Sequence, residues 1–307
     1  MADIKTPYLN LQTDFGFKFV FGSLHNKRAL VRFLNALFQG KLTVTDVTYH
    51  DKEILPPEKG GKRIVYDVYC TSSVKRSDSP FLTAYQAKDD KGGLQTDHHF
   101  ILEMQNIYTP PFEERITFYA SRMVSAQGKA GWDYTLEPVF AVAVTDFNFS
   151  HMSNKLVRDV MLVDRDTMEP LTDKVHILLC SLRELPGSWE ECRTDIEQAL
   201  FLIKNIDKMD NRSLAYREGN FAEIFEAARS SHLREDETIA YSQSLEKLRD
   251  TQKGILFAAD RAREEGRAEG REKALCEAAL KMLKAGLEPN FIQEMTGLSA
   301  EEIQNLS

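Results

Sequence analysis

No run of 18 or more apolar residues occurs anywhere in the 307-residue chain, which argues against a membrane-spanning helix. The opening residues, Met1-Ala2-Asp3-Ile4-Lys5, also lack the basic and apolar regions of a signal peptide. The expectation is a cytoplasmic protein with no membrane partner. Cysteine is scarce: Cys70, Cys180, Cys192 and Cys276 show no CxxC spacing, so neither a disulfide framework nor a structural zinc is expected. An overall excess of positive charge is missing too. The formal net charge of −8 argues against a surface-wide nucleic-acid binder, but the acidity is uneven. Residues 1–130 carry 17 Lys+Arg against 14 Asp+Glu, leaving 22 against 33 for the remainder. A mildly basic front half can hold a local phosphate-binding groove, because what counts is charge within about one Debye length.

With 42% hydrophobic residues the chain can bury a real core, and its length suggests about two domains. Thr13 to Gly22 reads as a short aromatic-rich turn or helix with Thr13 as cap. Asn26 then precedes an amphipathic helix with Leu30, Phe33, Leu34, Leu37 and Phe38 on one face, closed by Gly40. Leu42 to Tyr49 reads as a strand, followed by a Pro56-Pro57 and Gly60-Gly61 loop. After Pro110-Pro111 a second amphipathic helix carries Ile116, Tyr119, Ala120, Met123 and Val124 at helical spacing, with Arg115 and Arg122 seven apart on one side. Val139 to Val144 is an unbroken apolar run suited to a strand covered on both faces. Val160 to Val163 and Val175 to Cys180 add two strands, and from Trp189 the chain is nearly all helical. The order is that of a mixed α/β protein. Asp260 to Lys273 is highly charged and contains Gly266 and Gly270, as a solvated helix or hinge would. Beyond it, Ser299 with Glu302 forms a capping-box pattern in a small helical module.

Two strands organise the rest. In Phe100-Ile101-Leu102-Glu103-Met104-Gln105, alternation puts Glu103 and Gln105 on the face of Ile101. In Ile64-Val65-Tyr66-Asp67-Val68-Tyr69-Cys70, Asp67 falls on the face of Val65 and Tyr69. Each strand thus carries a carboxylate where a core residue is expected. Two carboxylates about 4 Å apart repel by roughly 4 kcal/mol at an effective dielectric of 20, so a shared proton or a divalent cation is the usual remedy. A buried hydrogen-bonded structural pair is the plainer reading. His98-His99 does not form a metal pair on a strand, because adjacent side chains point to opposite faces.

Thr13-Asp14-Phe15-Gly16-Phe17-Lys18 with Phe21-Gly22, Tyr66 to Cys70, Ile101 to Gln105, and then Arg115, Tyr119 and Arg122 resemble, in order and spacing, the recombination-promoting nuclease / putative transposase (Rpn) family of the PD-(D/E)XK nuclease superfamily. The resemblance covers about residues 6–185. It implies a restriction-endonuclease-like αβββαβ core with a mixed sheet, followed by a mostly helical C-terminal region. It also implies metal-dependent DNA cleavage, with Asp67, Glu103 and Gln105 as the catalytic set and Gln105 where the superfamily usually has Lys. Mg²⁺, with Mn²⁺ as substitute, is expected on Asp67 and Glu103, with the Met104 carbonyl and Asp14 as further ligands. Gln105 is expected to orient the attacking water through its amide. Lys18, Arg115 and Arg122 are candidates for gripping DNA phosphates. The rival reading is a catalytically silent DNA-binding or scaffold protein.

Thirty-six positions separate Asp67 from Glu103, more than a tight hairpin needs, so residues 72–97 read as an insertion. The competing register Gln86-Ala87-Lys88 supplies a Lys but no carboxylate. The expected division is a nuclease-like domain over 1–188, a helical extension over 189–255 and a charged helix with a helix-turn-helix-like tail over 256–307. Glu288, Glu294, Glu301 and Glu302 favour homo-oligomerisation over groove reading for that tail.

Overall fold

A computed structural model describes residues 6–51, 53–54, 64–76, 97–209 and 219–306. The Gln86-Ala87-Lys88 register, the Pro56 to Gly61 loop and most of the 72–97 insertion lie outside the described residues. The chain divides into two compact units, Met1–Leu245 and Glu246–Ser307.

The first unit is an α/β fold around a mixed sheet. Helix α1 (Asp14–Phe21) is capped by Thr13, whose hydroxyl accepts the Gly16 amide. Helix α2 (Lys27–Phe38) buries the expected apolar stripe. Its Asn26 does not cap it: the Asn26 amide donates to the Phe19 carbonyl instead. The helix stops on left-handed residues at Gln39 and Gly40, with φ of 49° and 79°; glycine tolerates that geometry freely. The expected single strand over 42–49 is two short ones, β1 (Leu42–Val44) and β2 (Thr48–Tyr49), which pair with different parts of one longer neighbour.

That neighbour is the first of the two organising strands, and it is also interrupted. A short β4 (Ile64–Val65) pairs with β3 (Glu53–Ile54), then the chain bends at Asp67 before β5 (Val68–Arg76). The bend alters the expected facing. Val65 is exposed, while Tyr66 packs with Ile101 and Met123 and Val68 enters the main core. Strand β6 (Asp97–Gln105) pairs antiparallel with β5 and parallel with β7 (Val139–Thr145), which pairs parallel with β9 (Val175–Ser181). The edge strand β8 is Val157–Val160, three residues earlier than its sequence suggests, antiparallel to β9. Along β6 the expected alternation holds: Phe100, Leu102 and Met104 face the core under α1 and α2, and Ile101 faces the other side.

Every residue of β7 is buried, as a central strand covered on both faces requires. One face joins the main core with α1, α2 and α4 (Asp195–Asn205). The other packs Ala141 and Ala143 against α3 (Phe112–Ser125) through Phe112, Ile116 and Ala120. Described residues of the expected 189–255 extension join the main core. Ile196, Leu200, Ile203 and Phe225 of α4 and α5 (Ala222–Ala227) lie in the main core, as does Tyr241 of α6 (Glu235–Lys284). The first unit therefore reaches to Leu245.

From Arg249 to Lys273 every side chain of α6 is exposed, and the helix runs through Gly254, Gly266 and Gly270 without a break. In the second unit, the end of α6 with α7 (Pro289–Thr296) and α8 (Ala300–Gln304) closes a small core around Ala279, Ile292, Leu298 and Ile303. The Ser299–Glu302 capping box forms as expected. Among the described residues, no helix is long and apolar enough to cross a membrane.

Candidate active site

The bend at Asp67 and the end of β6 form a reciprocal clamp. The Asp67 N–H donates to Glu103 Oε1 at 3.3 Å, and the Met104 N–H donates to Asp67 Oδ2 at 3.0 Å. Each carboxylate thus takes a backbone amide from the other's segment. The bend frees the Asp67 amide from the ladder for this purpose, which an unbroken strand would not. Asp67 keeps 15% of its side chain exposed, so the pair lies just beneath the surface.

The two acids are not equivalent. Burial, and then the neighbouring charge of Asp67, push the Glu103 carboxyl up to about 8, against the weaker pull of the Asp67 amide, Arg115 and Lys18. Two tyrosines border Glu103. Burial raises the Tyr66 and Tyr119 phenols, and the charge of Glu103 raises them further. The Tyr66 hydroxyl donates to the Tyr119 carbonyl at 3.3 Å. Arg122, near the end of α3, acts on Tyr66 electrostatically.

Asp67 has a counter-ion. Lys18 Nζ lies 3.1 Å from Asp67 Oδ1 and 2.6 Å from Asp14 Oδ1. Burial of the Lys18 ammonium works against its charge, but Asp67 and Asp14 outweigh this and hold its pKa above the ordinary lysine value. Lys18, expected on DNA, is therefore drawn into the acid site. Asp14, expected as a third carboxylate ligand, has its side chain 64% exposed and meets Asp67 through Lys18. Asp14 and Lys18 stand four apart on α1, a spacing that identifies the pair within the helix. Only the fold brings Asp67 to them.

Gln105 is engaged at both ends. Its carbonyl accepts from Arg115 at 2.7 Å and its amide donates to the Ile107 carbonyl at 2.9 Å. The expected water-orienting amide is thus committed to the backbone. Arg115, expected on phosphate, is held by Gln105 and lies 5.1 Å from the Phe112 ring centre. The sequence carries no signal for this pairing, because it joins a strand end to a helix across a turn.

The donor set at the clamp, two carboxylates beside the Met104 main chain, is all oxygen and suits a hard divalent cation such as Mg²⁺ or Mn²⁺. Among the described residues no group of three or more His, Cys, Asp or Glu is placed to hold a metal, so water or substrate oxygens would complete the shell.

Residues 11–77 and 89–258 match the family described as PD-(D/E)XK nuclease family transposase. The chain belongs to this family. Residues 271–307 match the Rpn/YhgA-like nuclease family, C-terminal HTH domain. No curated protein and no solved structure matches the chain. In this member of the PD-(D/E)XK family, the matched region spans every residue of the clamp, from Asp14 through Asp67 and Glu103 to Arg115. The match omits residues 78–88, within the long connection between the two acids. The sequence resemblance and the family match therefore agree on the Rpn branch of the superfamily.

Proposed function

We propose that the chain is a Mg²⁺-dependent endodeoxyribonuclease associated with recombination or mobile elements. The observation that carries this reading is the clamp itself, two carboxylates from separate segments brought together with one of them destabilised as an anion. Asp67, Glu103 and the Met104 carbonyl would hold the ion, which when bound supplies charge stabilisation for the phosphate and an ionised water. The chain's own part is to hold Asp67 through the Met104 amide and to set Arg115 through Gln105. In that hydrolysis the attacking water would bond to phosphorus as the P–O bond to the leaving strand end breaks, its proton passing to solvent and the leaving oxygen taking one from solvent. Purified protein should nick plasmid DNA with Mg²⁺ or Mn²⁺ and lose activity in EDTA. Cleavage unchanged by EDTA defeats the reading.

The second reading, a silent DNA-binding or scaffold protein, is favoured by Lys18 on Asp67, which already neutralises part of the site. Calorimetry separates the two: Mn²⁺ binding lost on Asp67→Asn supports the enzyme, and no binding to the wild type supports the scaffold.

For the C-terminal unit we infer both DNA contact, from its helix-turn-helix family match, and self-association. Leu287, Phe291 and Met295 are exposed at four-residue spacing at and along α7, among exposed Glu288 and Glu294. Carboxylates there oppose phosphate, and an apolar stripe suits a protein surface. Sedimentation of Phe291→Asp tests the second part, a shift to monomer being expected.

A further inference from the structure

Lys18 stands out in the site because its nearest partners are the site's own acids. Its ammonium touches Asp67 at 3.1 Å and Asp14 at 2.6 Å, with 30% of the side chain exposed. Asp67 Oδ1, the oxygen it contacts, is not the one claimed by the Met104 amide. That leaves Oδ1 available to a divalent ion only when the ammonium moves aside. Lys18 has space on its far side: with Asp14 it lines a groove of about 760 Å³ together with Phe19, His25, His232 and Arg234, a groove that Asp67 and Glu103 do not line. At the other side of the clamp, Gln105 is neutral and Arg115 is tied to it. A substrate phosphate brought to this site therefore finds in Lys18 a cation on a long, partly exposed stem that can turn toward it.

We propose that Lys18 is an exchangeable counter-ion: in the metal-free protein its ammonium holds Asp67 and Asp14, and on metal loading it is displaced from Asp67 Oδ1 and turns to the scissile phosphate, supplying the positive charge that neutral Gln105 lacks. The ammonium keeps its proton throughout, so no proton balance is involved. The inference rests on the endonuclease reading. It adds that one side chain opposes metal binding and assists cleavage, two effects of opposite sign that a merely structural ion pair does not combine.

The test uses the full chain with Lys18→Met, Lys18→Arg and Lys18→Met/Gln105→Lys, measuring Mn²⁺ affinity by calorimetry and Mn²⁺-dependent plasmid nicking at saturating metal. Lys18→Met is expected to bind Mn²⁺ about tenfold more tightly, since a like charge a few ångströms away is removed. It is expected to cleave roughly 10²-fold to 10³-fold more slowly, the usual loss when one stabilising donor is deleted. Lys18→Arg should stay within about tenfold of wild type, because a guanidinium also pairs with phosphate. The double variant should regain part of the lost rate by carrying the cation on β6, short of the wild type because it gives up the Gln105–Arg115 hydrogen bond. Lys18→Met cleaving at the wild-type rate overturns the proposal. So does Lys18→Met with weaker Mn²⁺ binding and slower cleavage together, since the pair would then only hold Asp67 in place. Should Lys18→Met fail to fold, a Lys18→Arg variant without cleavage overturns it as well. A wild-type chain that binds Mn²⁺ but cleaves no DNA instead defeats the endonuclease reading, and this inference falls with it.

Discussion

Strand β6 carries ionisable side chains at both ends, and the protein treats the two ends differently. At the start, His98 is buried and stacks on Phe140 with ring centres 5.9 Å apart and planes 5° apart. His99 contacts the Tyr69 hydroxyl through Nδ1 at 3.0 Å and Glu137 through Nε2 at 2.7 Å. Both ring nitrogens of His99 are partnered. At the finish, Glu103 has a long amide contact from Asp67, a carboxylate beside it and a pKa pushed up to about 8. Compensation, rather than residue type, separates the two: a satisfied group holds the fold together, while an uncompensated one marks where an external charge is wanted.

The largest expected effects are at the uncompensated end. Asp67→Ala and Glu103→Gln should each reduce plasmid nicking by more than about 10³-fold, as loss of a unit acting with its metal does. Their stabilities should diverge. Asp67→Ala removes the acceptor of the Met104 amide and the partner of Lys18, so it should cost about 1–3 kcal/mol. This reverses the expectation from simple like-charge repulsion, which would have Asp67→Ala hold or gain stability. Glu103→Gln removes a buried charge and should melt at or above the wild-type temperature near pH 8. A Glu103→Gln variant less stable than Asp67→Ala would erase the contrast.

The pH dependence of the metal-free protein follows with a definite sign. The Glu103 pKa is raised from 4.5 to about 8 on folding, so between those values the folded chain keeps a proton that the unfolded chain has released. Its contribution to stability is complete below the unfolded pKa and is lost as pH rises towards about 8, by up to ~1.4 kcal/mol per pH unit. Thermal melts across that interval should fall for the wild type and lose this component in Glu103→Gln. Saturating Mn²⁺ should flatten the wild-type curve by favouring the ionised form. An equal slope in Glu103→Gln and wild type would assign the effect elsewhere.

The contrast is partly legible in the sequence. Alternation alone places Glu103 and Gln105 on one face of β6, and the capping patterns at Thr13 and Ser299 form as their residue types imply. The apolar run of β7 marks a central strand. Other features depend on contacts that the sequence does not encode locally. Nothing in Ile64 to Cys70 signals the bend at Asp67, which the chain adopts because Tyr66 and Val68 pack into different clusters. The edge strand β8 has only four residues, none of them buried, too little for periodicity to fix its limits. Helical propensity identifies the region after Trp189 but not its packing, since α4 and Tyr241 join the core through tertiary contacts with α1 and α2. Likewise the Asp14–Lys18 pair is local and legible, whereas Lys18 on Asp67 and Arg115 on Gln105 arise only on folding.

A smaller effect is expected at Gln105, because both ends of its amide are already engaged, by Arg115 and the Ile107 carbonyl. Gln105→Leu should slow cleavage by about 10²-fold, the scale on which a misplaced positioning group is felt. Arg115→Met should cost a similar amount, and the double variant little more than either, since the two residues work as one unit. Fully additive losses would mean that Gln105 and Arg115 serve separate purposes. Such a result would also return the Gln105 amide to direct contact with water.

The smallest effect belongs to the compensated end, where Glu137→Gln is the most informative change. Glu137 is half-exposed, with 47% of its side chain accessible, and its Oε2 meets His99 Nε2 at 2.7 Å. A glutamine oxygen can accept the same hydrogen bond, so only the charge is lost, and an exposed pair of this kind contributes within about 1 kcal/mol. The Tyr69 contact to the other ring nitrogen is untouched, and burial of the ring between sheet neighbours persists. Stability should therefore fall slightly or stay level, and nicking should match the wild type. The variant also checks the contrast from the opposite side. If Glu137→Gln slowed cleavage as Glu103→Gln does, then His99 would belong to the working machinery and the two ends of β6 would form one extended site. An unchanged rate leaves the chemistry confined to the end where Asp67 and Glu103 meet.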